Sequence, residues 1–185
     1  MESRLRHLVV EALFPRFCLS CHTEGTLWCD VCAASWWPAS SKSGCPFCAK
    51  GLSSNTCDRC KPEAYLDGLF AFAPYGNPVV RHAITQWKYD GDRGVEAVIQ
   101  KWLVQAQPHL IPIGLEETVF APVPLHIRKQ RARGFDQAGL IADWMGQLYS
   151  TPVFDLLIRF RPTVQQAQLN KQERLLGNLD GIFRV

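Results

Sequence analysis

The chain has 185 residues, of which 47% are hydrophobic, and a net charge of +3. That length suits one ordinary domain plus a small satellite. The composition excludes wholesale disorder, and so mild a positive balance permits phosphate or nucleic-acid partners without requiring them. The apolar runs fall short of the ~18–20 residues of a membrane-crossing helix. The opening stretch MESRLRHLVVEALFPRFC has no small-residue cleavage site, so it does not read as a secretory signal and a cytoplasmic location is expected. Paired cysteines in that reducing compartment point to metal or redox chemistry before disulfides.

The predicted elements begin with a short helix in residues 1–17, where Leu5, Leu8, Val9 and Ala12 recur at helical spacing before Pro15 ends it. Residues 18–62 hold every cysteine of the chain, in four Cys-x-x-Cys pairs: Cys18/Cys21, Cys29/Cys32, Cys45/Cys48 and Cys57/Cys60. Each such turn aims two thiolates at one ion, so eight cysteines make two closed tetrahedral sites, structural rather than catalytic. Gaps of 7, 12 and 8 residues between the pairs favour sequential sets, Cys18 to Cys32 and Cys45 to Cys60, over a cross-brace, which stays open. Zinc is the default ion, two per chain, although spacing alone leaves a rubredoxin-like iron site open. Trp28, Trp36 and Trp37 read as apolar cover for the knuckles, ahead of base stacking. His22 reads as a surface residue, because both four-cysteine sets are already complete.

The remainder, 63–185, has no cysteine and alternates strand-like with helical segments. YLDGLFAFAPY reads as strands around a turn, NPVVRHAITQWKY and GVEAVIQKWLVQA as helices, and TVFAPVPL as a buried parallel strand. FDQAGLIADWMGQLY is a further helix, with Ala138, Ile141, Ala142, Met145 and Leu148 on one face. Alternation of this kind predicts an α/β domain with a mostly parallel sheet, whose ligands bind beyond the carboxyl ends of the strands. LHIRKQRARGFDQ follows such a strand and places Arg128, Lys129, Arg131 and Arg133 together, with Gly134 for a tight turn. It reads either as a solvated basic loop or as a seat for a phosphate or diphosphate. RFRPTVQQAQLNKQERLLGN reads as an exposed amphipathic helix or as a loop that closes on an anionic ligand.

These segments, in this order, resemble the ComF family of competence proteins, a branch of the type I phosphoribosyltransferases. The likeness is carried by the double cysteine module and by YGNPVVRHAITQWKY, PVPLHIRKQRARGFDQAGLIA, RFRPTVQQAQL and GNLDGIFRV. It implies a phosphoribosyltransferase-like domain over 63–185, binding phosphoribosyl pyrophosphate with magnesium and displacing pyrophosphate through an oxocarbenium-like transition state. The pyrophosphate loop would be Pro122, Val123, Pro124 and Leu125, with Arg133 and Gly134 beside it. Arg161 and Arg174 would oppose charge on the leaving group, with Thr163 and Gln166 ordering the closed catalytic loop. The family pattern continues past GIFRV with an apolar strand, two acids and a Thr-Thr-Gly turn, whereas this chain stops at Val185 and its one adjacent acid pair, Glu116 and Glu117, precedes its strand. The expectation is therefore a domain incomplete at its C-terminus, linked to DNA uptake and without transferase activity in this 185-residue form. The resemblance also implies single-stranded DNA or a protein of the competence machinery as partner. The alternative is a non-enzymatic zinc-ribbon module that binds single-stranded DNA or another protein.

Overall fold

In the computed structural model, which describes residues 15–36, 44–51, 54–89, 92–110, 118–163, 169–170 and 181–185, the cysteine-rich stretch is mostly turns. Its regular pieces are one short helix, α1 (Asp30–Ser35), and a 3-10 turn at Lys61–Glu63. The expected N-terminal helix and Trp37 lie outside the described residues. The chain divides into two compact units, Met1–Pro112 and Ile113–Val185.

The first unit is built on two helices, α2 (Pro78–Tyr89) and α3 (Arg93–Leu110), which pack against each other. Each starts where a side chain satisfies an orphan amide. Asn77 Oδ1 accepts from the Val79 N–H at 2.9 Å, and Asp92 Oδ1 from the Gly94 N–H at 2.8 Å. Pro78 occupies the first turn of α2, where its missing N–H costs nothing. Both helices form where the sequence predicts them, and their buried residues are Val80, Ala83 and Trp87 on α2, and Val95, Val98, Ile99, Trp102, Leu103 and Ala106 on α3. Trp87 is 2% exposed and Trp102 is 0%.

The cysteine region joins this core through its tryptophans. Trp28 meets the Trp102 ring edge-on at 5.1 Å, and Trp36 stacks on Trp102 at 4.6 Å with ring planes 19° apart. Packing, rather than base stacking, therefore occupies these two rings. A Cβ at Gly94 would come within 2.6 Å of Leu27 Cδ1, so the start of α3 lies close against the residue before Trp28.

The second unit contains α4 (Ile127–Arg133), α5 (Gln137–Tyr149) and a two-stranded antiparallel ribbon, β1 (Ile158–Arg159) with β2 (Phe183–Arg184). Its register sets Ile158 opposite Arg184 and Arg159 opposite Phe183. The chain departs from the sequence expectation in three places. The expected parallel sheet is not formed among the described residues; what remains of it is a single parallel bridge, Phe120 to Val153. TVFAPVPL carries Pro122 and Pro124, which have no N–H to donate, so the ladder stops just past Phe120. YLDGLFAFAPY forms no strand, only the antiparallel bridge of Gly68 to Asn55. The basic run is not a loop but helix α4. Arg, Lys, Gln and Ala are strong helix formers, His126 Nδ1 caps the start by accepting from the Arg128 N–H at 3.2 Å, and Gly134 ends it at φ 84°.

On α5 the side chain of Gly146 is replaced by close approach: a Cβ there would lie 2.6 Å from Val153 Cγ2 and 2.9 Å from the Thr151 carbonyl. That contact holds the turn after α5 against the helix and so sets the Phe120–Val153 bridge. Among the described residues no helix is long and apolar enough to cross a membrane.

Candidate functional site

The eight cysteines form two clusters, Cys18/Cys21/Cys29/Cys32 and Cys45/Cys48/Cys57/Cys60, the sulfurs of each lying within 4.8 Å of one another. This is the sequential arrangement, not the cross-brace. Four sulfurs ~2.3 Å from a tetrahedral zinc are about 3.8 Å apart. The gaps across the two knuckles of each cluster, 3.6 Å for Cys21 to Cys29 and 3.8 Å for Cys48 to Cys57, match that spacing. The donor set and its geometry fit one structural zinc per cluster.

The two sites are local copies. The Cys18 N–H donates to the Thr23 carbonyl and the His22 N–H to the Cys18 carbonyl; likewise the Cys45 N–H donates to the Lys50 carbonyl and the Ala49 N–H to the Cys45 carbonyl. The residue after each leading pair turns back through the left-handed region, His22 at φ 60° and Ala49 at φ 57°. Backbone amides then point at sulfur: Cys32 N–H at Cys29 Sγ and Cys57 N–H at Cys45 Sγ, both 3.5 Å. The repeat follows from one covalent task done twice, closing a tight turn so that two thiols face inward.

Crowding four thiols splits their acidities. Burial raises the Cys18 thiol, but amides of Cys21, Cys29 and Ser20 outweigh it and lower it to about 6. The Cys45 thiol is lowered to about 6, first by the Cys57 amide. Cys60 is pushed up to about 12, first by its hydrogen bond with Cys57 and then by burial. At Cys32 a hydrogen bond from Ser20 acts downward, yet burial and the Cys21 and Cys29 thiols prevail and carry it up to about 12. The Cys21 thiol is lowered too, first by its hydrogen bond with the Thr23 side chain, so each cluster holds at least one thiol that ionises readily and one that resists ionising beside its neighbours. A dication at the centre removes that conflict, because it stabilises all four thiolates at once.

The second unit places the remaining candidates in two groups. Pro122, Pro124 and Leu125 line a groove of about 490 Å³ with Asp136, Asp155 and Arg159, whereas Val123 points outward, 58% exposed. Asp136 ties this groove together: Oδ1 accepts from the Ala138 N–H at 3.0 Å to cap α5, and Oδ2 from the Leu125 N–H at 3.3 Å. The other group is cationic. Lys129 Nζ donates to the Thr163 carbonyl at 3.2 Å, and the Arg159 guanidinium donates to Thr163 Oγ1. Arg133, which donates to Gln137 Oε1, lies near enough to be felt. Burial, and then the charges of Arg159 and Arg133, push the Lys129 ammonium below its usual value. Arg159 Nε is buried and has no hydrogen-bond partner.

Of the residues assigned from the sequence, Arg133 and Thr163 therefore come together around Lys129. Arg161 instead lies over the Phe160 ring at 5.4 Å, where Arg184 is also found at 4.3 Å. Gln166 and Arg174 lie outside the described residues. Lys129 and Arg159 were visible in the sequence only as members of basic runs; thirty residues of separation concealed that they share one site. No family model, curated protein or solved structure matches the chain.

Proposed function

We propose that this protein couples a structural double zinc ribbon to a unit that binds a phosphorylated ligand, as the resemblance to the ComF family of phosphoribosyltransferase-like competence proteins implies. The observation that carries the ligand class is Lys129, half-buried between two guanidiniums, next to an Arg159 Nε with no partner. Like charges held together and partly shielded from water repel unless an anion joins them. A phosphate or diphosphate would offset both charges and accept from the idle Nε, and Arg suits it because its planar fork matches phosphate oxygens. In the reading drawn from the resemblance, the ligand is phosphoribosyl pyrophosphate with magnesium as its counter-ion. The cations would face the pyrophosphate end, Pro122 to Leu125 and Gly134 would give the backbone close approach, and Arg161, Thr163, Gln166 and Arg174 would belong to the closing loop.

Pyrophosphate with magnesium is the direct probe. It is expected to raise the melting temperature of the zinc-loaded protein, and Lys129→Gln or Arg159→Gln should abolish the rise. An equal rise in both variants would refute the assignment. Single-stranded DNA is the second reading, favoured by exposed Arg128 and Arg131 on α4. Its binding would weaken steeply with salt and would be lost in the Arg128→Ala, Arg131→Ala double variant while the pyrophosphate effect survives.

A further inference from the structure

The two cysteine clusters are equivalent in ligands but not in setting. Each has one sulfur-bearing residue out of solvent, Cys18 at 0% and Cys45 at 2% exposure. In the first cluster, however, Cys21 is exposed, whereas Cys48, Cys57 and Cys60 of the second are all partly covered. An approaching oxidant or chelator therefore meets a thiolate at the first site sooner than at the second.

The first site is also the one joined to the helical core. Cys29 is the N-cap of α1 and Cys32 lies within it. Trp28 precedes Cys29 directly, and Trp36 caps the other end of α1. Both rings rest on Trp102, which is 0% exposed at the centre of α3. Leu27 reaches the start of the same helix at Gly94. The flanks of the second site run elsewhere: the Thr56 N–H donates to the Asp67 carbonyl at 2.7 Å and the Leu69 N–H to the Ser54 carbonyl at 3.0 Å. These hydrogen bonds tie it to the segment around residues 66–69.

We propose that the first four-cysteine site is a peroxide-sensitive switch, in which oxidation of Cys21 releases one zinc and frees Trp28 and Trp36 from Trp102 of α3. The inference rests on the reading that each cluster holds zinc. The chemistry balances with a hydroperoxide as oxidant. The Cys21 thiolate attacks one peroxide oxygen, the O–O bond breaks, and a sulfenic acid forms with hydroxide leaving. Cys29, whose Sγ lies 3.6 Å from that of Cys21, then attacks the sulfenic sulfur; the S–O bond breaks, a disulfide forms and a second hydroxide leaves. Two electrons pass from the two sulfurs to the peroxide, and protons convert both hydroxides to water. A disulfide no longer ligates zinc, so the ion departs. Without the ion α1 has only six residues, too few to persist alone, and the anchoring of Trp28 and Trp36 goes with it.

The test uses the intact zinc-loaded chain. Zinc content is measured first, and a ratio near two supports the zinc reading independently. Hydrogen peroxide is then added in steps, with released zinc followed by a chromophoric chelator, tryptophan emission recorded in parallel and disulfides mapped by mass spectrometry. One zinc of the two should leave several-fold faster than the other. Its release should coincide with the change in tryptophan emission, and a Cys21–Cys29 disulfide should dominate at that point. A dithiol plus zinc should reverse all three signals. Cys45→Ser, which disables the second site, should keep the fast phase and its fluorescence change; should that variant not fold, the two phases of the unaltered protein decide. If two bound ions leave at equal rates, if the first leaves with emission unchanged, or if the first disulfide maps to Cys45–Cys60, the switch is overturned while the zinc reading stands. A folded protein without zinc overturns both.

Discussion

Alanine in place of glycine at two positions of α5 should have opposite effects, although the substitution and the helix are the same. In a helix, Gly→Ala gains up to about 1 kcal/mol from reduced backbone freedom in the unfolded chain. At Gly139 nothing opposes that gain: a Cβ would meet only Asp136 Cβ at 3.8 Å and Cγ at 4.0 Å, ordinary van der Waals contact. At Gly146 a Cβ would lie 2.6 Å from Val153 Cγ2 and 2.9 Å from the Thr151 carbonyl oxygen. The valine methyl could turn aside, but the carbonyl belongs to backbone held in place by the Thr151 N–H bond to the Gly146 carbonyl at 2.9 Å. Overpacking of this kind costs roughly 1–3 kcal/mol, so it outweighs the propensity gain. Gly139→Ala should stabilise by about 0.5 kcal/mol, less than a full interior gain because it lies in the first turn, and Gly146→Ala should destabilise by about 1–2 kcal/mol. Urea unfolding, followed by far-UV circular dichroism and by the emission of Trp144 on α5, measures both. Because the same contact sets the Phe120–Val153 bridge and hence the Pro122–Leu125 segment, Gly146→Ala should also weaken the pyrophosphate-induced rise in melting temperature. Equal stability of the two variants would refute the claim that backbone approach at Gly146 organises this unit.

Trp102→Ala should cost about 3–5 kcal/mol, the usual toll for a buried tryptophan, and should expose Trp28 and Trp36 as a red shift in emission; a loss below about 1 kcal/mol would show that the stack is not the link between the first zinc site and α3. Ala49→Gly should stabilise the zinc-loaded protein by about 1 kcal/mol, since alanine is strained at a φ of 57° and glycine is not. Zinc affinity should fall with acid, with the sign set by the lowered thiols. Above about pH 6 Cys18 and Cys45 are already ionised, so each ion displaces fewer than four protons; below it all four must leave, and zinc competes less well as pH drops. Calorimetry in buffers of different ionisation enthalpy counts those protons, and a count that does not rise between pH 7 and pH 5 would contradict the assigned acidities.

Features that depend only on near neighbours along the chain were legible in the residues. A Cys-x-x-Cys turn is a four-residue geometry, so four of them spelled out eight metal ligands before any fold was known. Recurrence at helical spacing over a dozen or more residues likewise marked the helices α2, α3 and α5, although of the face named on α5 only Ala142 is buried. Helix α4 was locally encoded too, in the His126 cap, strong helix formers and Gly134. Seven residues, however, are too few to show a period, and so many charges read equally well as a loop. Tertiary structure alone decided the rest. The seating of Trp28 and Trp36 on Trp102 is a choice among distant partners, whereas the joining of Cys29/Cys32 with Cys18/Cys21 was already favoured by the short gap between the pairs. TVFAPVPL had the composition of a strand, yet pairing needs donors as well as apolar side chains, and two prolines withhold them. Lys129 and Arg159 stand thirty residues apart; only the return of the chain through Thr163 brings their charges together, and no local rule of helix, strand or turn could have written that meeting into either segment.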